Sequence, residues 1–377
     1  MKILFLINSI PPDYGGGYLR TFKTAARFKN DGLLYKIMTF TKKSRYNDVI
    51  YGITDNDILF FGSCFFASFC KIPFFMLSHR RCFDVFYVAS IHWFTVIPVM
   101  TAKLLKKKVV IGVTLSMVDS PANRPNALVK CPYYWFKNSQ FKMTNYLFVN
   151  SPLLVEECKS CGFGEDVVKL INNPVDTKVF YPVSPEEKNA IKTKFDIEET
   201  CFTIVFIGSF NKRKGCDLLP ELFKKLFSRL DSRVTFVMCG QKGYPETDGI
   251  LADLKKLFDE YGNKFVVEEE VRNTAPYYQM ADIFLFPTTN EGMPNVVLEA
   301  MASECMIISN LLPGITDYVL PKECLVYDND VEEYVNKILD YYYYPRQYEN
   351  AIKQNRISIL KSFSIESVDK KIKNIIQ

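Results

Sequence analysis

The chain has 377 residues, with 47 Lys and Arg against 42 Asp and Glu, and only 2 His and 2 Trp beside 31 Phe and 22 Tyr. At roughly 100–200 residues per domain this length suggests two domains, and 48% hydrophobic with 24% charged residues is ordinary globular composition. Two His exclude a His-rich metal centre and leave any Ser-His-Asp or Cys-His arrangement to His79 or His92, while a net charge of +5 is too small and dispersed to suggest nucleic acid as a partner.

Met1-Lys2 leads straight into a strand-like run, Ile3 to Ile7, with no secretory leader before it. The 11 Cys, an odd number, therefore read as reduced thiols of a cytosolic protein. Next comes Ile10-Pro-Pro-Asp-Tyr-Gly15-Gly16-Gly17, a loop in which glycine lets backbone approach a ligand and leaves amides free, followed by an amphipathic helix from about Leu19. After a strand at Lys36–Thr39, Asp55-Asn56-Asp57 has the Asp-x-Asp form that can hold a divalent metal, and Asp328-Asn-Asp330 repeats it. Both also suit polar turns.

Ile58 to Leu77 has the length and apolar character of a spanning helix, but Lys71 and Pro73 sit past its middle, where a charge is expensive in hydrocarbon. The preferred reading is a strand followed by an aromatic-rich helix. A further reading uses the neighbours. Lys71, His79, Arg80 and Arg81 interleave with Phe74, Phe75 and Phe83, and Lys103 and Lys106-Lys107-Lys108 follow, which suits a face resting on anionic headgroups.

Strand signals continue at Val85–Ala89, Val109–Val113, Tyr146–Asn150 and Val168–Ile171. Cys158 and Cys161 form one CxxC, and without a second pair or a nearby His they read as thiols near a helix end. The polar stretch Tyr181 to Thr200, with a short helix at Pro185–Phe195, reads as a linker. Strands restart at Phe202–Ile207, Thr235–Cys239, Phe265–Val267, Ile283–Phe286, Met306–Ser309 and Cys324–Tyr327. Helices are expected at Asp217–Leu230, at Asn295–Ser303 and through Val331 to Gln377. Apolar strands alternating with helices predict two Rossmann-like, doubly wound α/β domains facing a central cleft. They are residues 1–180, with a helix at about 360–377 crossing back, and residues 181–359.

The chemistry concentrates in Pro287-Thr-Thr-Asn-Glu291-Gly-Met-Pro-Asn-Val-Val-Leu-Glu299-Ala-Met. A buried strand feeds a loop holding Glu291, Pro294 is placed for the first turn of a helix, and Glu299 lies inside that helix. The amides of Gly292 to Asn295 form its positive end, suited to phosphate. This segment resembles the retaining family 4 glycosyltransferases of the GT-B fold, in an E-G-x-P-N-x-x-x-E-A-M context. The resemblance implies that Glu291 contacts the transferred sugar and that Glu299 holds the ribose hydroxyls of a nucleotide-sugar donor. Gly208-Ser-Phe-Asn-Lys-Arg213-Lys214-Gly215 looks like the family's G-R-x-x-x-x-K-G loop, in which Lys214 matches the cation that binds the donor diphosphate. Ser209 stands where the family usually has Arg, and Arg213, or else Lys212, is expected to compensate. The implied donor-binding set is Glu299, Gly292, Met293, Pro294, Asn295, Gly208, Ser209, Val271 and Arg272, with Glu291, Lys214 and Arg213 catalytic. The loop Gly15, Gly16 and Gly17 matches the family's Pro-Pro-x-x-Gly-Gly, and Ile171-Asn-Asn-Pro-Val-Asp176 its domain junction.

Two departures stand out. The His that often follows the strand matching Val109–Val113 is absent, which leaves its sugar contact to Ser116 or Asp119. Ser303-Glu304-Cys-Met306 replaces a small-Gly-x-Pro turn. His92 reads as packing beside Trp93. The resemblance implies metal-independent hexosyl transfer from a nucleotide-diphosphate sugar, with no cofactor, to a hydroxyl of a glycan or lipid-linked oligosaccharide in cell-surface polysaccharide synthesis. The cysteine content leads us to expect a cytoplasmic protein, and the basic and aromatic residues after Ile58 leave open a peripheral place at the inner face of the membrane. A catalytically silent binding protein, a sugar-nucleotide epimerase of the same fold and a metal-dependent GT-A enzyme using Asp55 and Asp57 are the alternatives.

Overall fold

In the computed structural model, which describes residues 1–11, 16–46, 49–62, 67–114, 120–122, 132–269, 271 and 273–377, the amino-terminal apolar run becomes strand β1 (Ile3–Leu6) of a parallel sheet. The chain divides into two units, Met1–Asn173 with Val368–Gln377, and Pro174–Ser367.

In the first unit β1 is followed by helix α1 (Gly16–Asn30), β2 (Leu34–Thr39), β3 (Ile58–Phe60), α2 (Ile72–Ser78), β4 (Val85–Val88) and α3 (Val96–Leu104). Then come β5 (Lys108–Val113), α4 (Pro132–Ser139), β6 (Tyr146–Val149), α5 (Pro152–Ser160) and β7 (Val168–Leu170). The sheet order is β3-β2-β1-β4-β5-β6-β7, with parallel pairing throughout. Both faces are covered, which is why the strands read as continuous apolar runs rather than alternating ones. Side chains alternate between the faces at period two. Ile3, Phe5, Val85 and Tyr87 pack with Phe22, Ala25 and Phe28 of α1. Leu4, Leu6, Phe86 and Val88 pack with Ile72 and Met76 of α2, Val99 and Ala102 of α3 and Leu154 of α5.

The second unit runs α6 (Pro185–Lys194), β8 (Phe202–Ile207), α7 (Leu219–Phe227), β9 (Val234–Gly240), α8 (Thr247–Glu260), β10 (Lys264–Glu269), α9 (Ala275–Met280) and β11 (Ile283–Phe286). It continues with α10 (Asn295–Ala302), β12 (Met306–Asn310), α11 (Thr316–Val319), β13 (Leu325–Val326), α12 (Val331–Tyr343) and α13 (Glu349–Ser358). Its parallel sheet has the order β10-β9-β8-β11-β12-β13. Helix α14 (Ile365–Ile376) begins here and returns to the first unit from Val368. There Val368, Ile372 and Ile376 enter the α1 side of the core, and Arg27 grips Asp369 through Nε at 2.6 Å and Nη2 at 2.8 Å.

The division falls at 173/174 and 367/368 instead of the 180/181 and 359/360 read from sequence. Backbone pairing explains the shift. The Val175 N–H donates to the Phe363 carbonyl at 2.8 Å and the Ile365 N–H to the Val175 carbonyl at 3.2 Å, which ties the segment ahead of the polar linker to the second unit.

Ile58–Leu77 is not one helix: its first residues form β3 and its last belong to α2, and no helix among the described residues is long and apolar enough to cross a membrane. Cys158 is buried and its thiol is pushed up to about 12 by burial, the state of a packed side chain at the end of α5. The described cysteines are all free thiols.

Each Asp-Asn-Asp serves a turn. Asp57 accepts the Thr54 N–H and hydroxyl, both at 2.8 Å, and the Lys29 ammonium at 2.7 Å, while Asp55 pairs with Lys43 at 3.1 Å. Asp330 caps α12 by accepting the Glu332 N–H at 2.9 Å. Glu304 follows the end of α10 with φ of 54°, a left-handed conformation that glycine adopts without penalty. That geometry gives a physical reason for glycine at this turn in the sequences it resembles.

Two predictions follow from these turns. Glu304→Gly relieves the left-handed strain and raises stability by about 0.5–1 kcal/mol in urea unfolding; an unchanged or lowered midpoint counts against the strain. Burial alone would raise the Asp57 pKa, but the bonds from Lys29 and Thr54 outweigh it and hold the carboxyl below its ordinary value. Its stabilisation is therefore complete above the unfolded pKa of about 4 and is lost as pH falls through the lower folded value. Asp57→Asn should cost about 1–2 kcal/mol at neutral pH and progressively less in acid; a difference from wild type that does not shrink with pH would remove the carboxylate from this account.

Candidate active site

Strands β8 and β11 are neighbours in the sheet, with Ile283 beside Ile204 and Phe284 beside Val205, although β9 and β10 lie between them in sequence. The chain runs to one side of β8 and then returns to build the other, so the loops after β8 and β11 leave the sheet side by side. Such a switch in direction is where open α/β sheets bind ligands.

The loop after β8 is shaped by Asn211, whose side-chain oxygen accepts the Lys214 N–H at 3.1 Å and caps a single tight turn, Lys212–Lys214. Gly215 ends the turn with φ of 73°, and a Cβ there would lie 2.1 Å from the Pro287 carbonyl oxygen. Only glycine lets the two loops come this close. The Arg213 carbonyl then accepts from the Thr289 N–H at 2.9 Å, the Thr288 hydroxyl at 3.1 Å and the Thr289 hydroxyl at 3.0 Å. From the opposite side Asn310 donates to the Thr288 carbonyl at 2.9 Å and Asn329 to the Pro287 carbonyl at 3.1 Å. Asn329 is itself oriented by the Tyr334 hydroxyl at 2.8 Å.

Between these loops one carboxylate oxygen of Glu291 accepts from the Lys214 ammonium, from Arg213 Nη1 at 3.0 Å and from the Thr288 hydroxyl at 3.1 Å. Glu291 and Lys214 are only 15% and 12% exposed at their side chains, whereas Arg213 is 49% exposed. Buried charge of this kind persists because it is paired and hydrogen-bonded. The Lys214 stem runs over Gly208, where a Cβ would lie 3.7 Å from its Cδ and Cε, and its ammonium sits 5.4 Å from the centre of the Phe286 ring. Of the two cations offered in place of the usual Arg, Arg213 is the one bonded to Glu291 and to the Asn290 carbonyl at 2.7 Å. The Lys212 backbone N–H bonds to Glu246 at 3.2 Å.

Glu299 projects from α10 one turn beyond its start and accepts from the Tyr278 hydroxyl at 3.0 Å and from Thr274 at 3.4 Å. Burial and the Glu299 charge push the Tyr278 phenol well above its ordinary pKa, so it stays a donor. Pro294 occupies the N-cap, outside the first helical turn in which it was expected. Gly292, Met293 and Pro294 are buried and Asn295 is exposed. Two cations, a bridging carboxylate and a helix N-terminus in one unit can receive a multiply charged anion and neutralise further charge that develops on it.

Ser209 and Val271 are half-buried, and the Ser209 carbonyl accepts the Asn211 N–H at 3.0 Å. Gly15, Ser116, Asp119 and Arg272 lie outside the described residues. In the first unit Gly16 and Gly17 open α1 instead of preceding it, and a Cβ on Gly17 would lie 3.0 Å from Thr114 Oγ1. His92 stacks on Phe94 at 5.0 Å and shares a 3.2 Å hydrogen bond with the Tyr18 hydroxyl. Among the described residues no three His, Cys, Asp or Glu come together as a metal cluster. Sequence reasoning passed over Thr288, Tyr278 and Asn310, and saw Asn329 only inside an Asp-x-Asp. Thr288 lies within the Glu291 segment and its hydroxyl was a usable signal, whereas the other three act across the fold.

Residues 201–343 match the family described as glycosyl transferases group 1. An alpha-galactosylglucosyldiacylglycerol synthase of Streptococcus pneumoniae is 28% identical over 177 residues, 45% of this chain and 45% of that protein. The capsular polysaccharide biosynthesis glycosyltransferase CapM of Staphylococcus aureus is 30% identical over 122 residues, 32% of this chain and 31% of that protein. The chain thus spans less than half the length of these curated relatives. Anabaena HepE, solved in complex with UDP, matches with a TM-score of 0.79 over 99% of both chains at 14% identity, a likeness of fold. The two parallel Rossmann-like sheets of this chain are those of the GT-B fold, and its residues 201–343 are similar to the group 1 glycosyl transferases.

Proposed function

We propose that the chain is a retaining glycosyltransferase that moves a hexose-type sugar from a nucleotide diphosphate to a hydroxyl of a glycan or lipid-linked acceptor. The observation that supports this most is the Glu291 carboxylate held between Lys214 and Arg213 beside the start of α10. A diphosphate competes with Glu291 for both cations, and a carboxylate so displaced is placed for the hydroxyls of the attached sugar. Glu299, held by Tyr278 and Thr274, offers a fixed acceptor to ribose hydroxyls. The names of the relatives, a glycolipid synthase and a capsular polysaccharide transferase, favour acceptors of those two kinds.

As the bond from the anomeric carbon to the phosphate oxygen breaks, negative charge grows on the departing diphosphate. Lys214 and the amides opening α10 stabilise it. The acceptor oxygen bonds to the anomeric carbon on the face the phosphate leaves, and the acceptor proton passes to a phosphate oxygen, which gives retention without an enzyme nucleophile. Lys214 and Arg213 supply the neutralising charge in this reading, so transfer needs no bound divalent metal.

Purified protein incubated with a panel of nucleotide sugars in EDTA should turn over a donor. Lys214→Ala should lower kcat about 10²–10³-fold, and Glu299→Ala should raise the donor KM about tenfold or more by removing a charged hydrogen bond. Gly215→Ala keeps every charged group but forces the loops apart, so its loss of activity should approach that of Lys214→Ala. Turnover unchanged in both Lys214→Ala and Glu291→Ala sinks the site assignment. Donor binding without turnover marks a silent binding protein, and activity abolished by EDTA overturns the metal-independent reading.

A further inference from the structure

Nothing in the donor site accounts for one surface of the first unit. From Ile58 to Asn150 the sequence carries eleven Lys and Arg against two Asp and no Glu, an excess of nine positive charges in a chain whose whole net charge is +5. The remainder of the chain is therefore net acidic, and the basic character belongs to this stretch.

The fold sets many of these charges along one edge. Arg80 and Arg81 precede β4, Lys103, Lys106 and Lys107 precede β5, and Lys142 precedes β6. Because β4, β5 and β6 are adjacent and parallel, the turns that enter them lie side by side. Arg80, Arg81, Lys103, Lys106 and Lys142 are exposed, and the Lys107 ammonium sits 5.1 Å from the Phe83 ring centre. Lys108 is set apart, bonded to the carbonyls of Ile376 and Gln377. The carboxylate in this row, Asp84, accepts the Lys2 N–H at 2.7 Å.

Above this row the helices are apolar on the side away from the core as well as toward it. Their inner faces, Ile72 and Met76 on α2 and Val99 and Ala102 on α3, pack on the sheet. Their outer faces present Phe74 at 72% and Leu104 at 76% exposure, with Leu77 and Met100 also exposed. Helix α4, packed against α3, adds Trp135 at 69% exposure and Phe136. Soluble surfaces rarely cluster large apolar side chains in this way without a partner. Phe, Leu and Trp facing outward, with a row of Lys and Arg at the helix ends and almost no carboxylate among them, match the boundary between acyl chains and anionic headgroups.

We propose that the outer face of α2, α3 and α4 docks on an anionic lipid bilayer, with Phe74, Leu77, Met100 and Leu104 entering the interface and Arg80, Arg81, Lys103 and Lys106 meeting the headgroups. The docking stands independently of the transferase reading, since it uses none of the donor-site residues.

Flotation of the full chain with vesicles tests it. Wild type should float with phosphatidylcholine vesicles containing phosphatidylglycerol, stay behind with phosphatidylcholine alone, and lose binding as salt rises. Arg80→Glu with Arg81→Glu should weaken binding at least about 25-fold, taking roughly fivefold for each charge removed. Phe74→Ser with Leu104→Ser, at positions exposed enough to spare the fold, should weaken it by a similar order at constant charge. Equal flotation with neutral vesicles, or charge-reversed protein that binds as wild type, overturns the electrostatic docking. Apolar variants that bind undiminished overturn the insertion. Wild type that ignores anionic vesicles but is retained by RNA assigns the row of cations to a nucleic acid instead. Nucleotide-sugar turnover in the same preparations separates the two readings, because a donor-site failure leaves flotation intact.

Discussion

The contact on which the second unit turns is the one between Lys214 and Glu291, two side chains delivered by loops that follow β8 and β11. A lysine this enclosed is costly to hold charged unless a carboxylate meets it, and a carboxylate this enclosed needs donors in turn. Thr288 and Arg213 complete the set. The bonds from Lys214 and Arg213 form only where the loops touch, and they touch because Gly215 has no Cβ to strike the Pro287 carbonyl. Asn310 and Asn329 then fix the far side of the same loop, so the charged cluster is held from two directions by neutral hydrogen bonds. The rigidity comes from amides and carbonyls, which leaves the charges available for an anion.

Both units use the same parallel architecture, yet they dress the point where strand order reverses in different chemistry. In the first unit that point lies between β1 and β4. There Asn8 donates to the Ser90 carbonyl at 3.3 Å and lies 3.5 Å from the Tyr18 hydroxyl, which meets His92 at 3.2 Å. Asn8, Tyr18 and His92 make hydrogen bonds here without an ion pair among them. In the second unit the equivalent point holds Lys214, Arg213 and Glu291, suited to an anion. A shared fold supplies the position, and the residues after each strand decide what it receives.

How much of this could be read from the sequence depended on how local the physics was. Strands β8 and β11 fall where their apolar runs place them, because a strand buried on both faces announces itself by composition alone. Glu291, Glu299 and Lys214 were legible because each sits in a compact segment next to such a strand. Tyr278 was not, since its bond to Glu299 spans residues brought together by packing between α9 and α10. Asn329 was seen only as part of an Asp-x-Asp and serves as a brace. The run Ile58–Leu77 was ambiguous for a different reason: composition does not say where a chain stops extending and starts to coil. The division between the units falls ahead of the expected linker because Val175 finds its backbone partner in Phe363, far along the chain.

The scarcity of histidine also takes on a physical meaning. Both histidines lie in the first unit and pack on aromatic rings, His79 stacked on Phe75 at 4.2 Å with Nδ1 3.0 Å from that residue's carbonyl, and His92 on Phe94. Neither belongs to the cluster around Glu291. A reaction that generates a nucleotide diphosphate asks for fixed positive charge where negative charge accumulates, more than for a group that gains and loses a proton near neutrality. An ammonium and a guanidinium set beside a helix N-terminus meet that requirement. On the proposed reading the carboxylate that holds them in register is the group a donor diphosphate displaces, so the Lys214–Glu291 pair both braces the two loops and competes with the donor for the same cations.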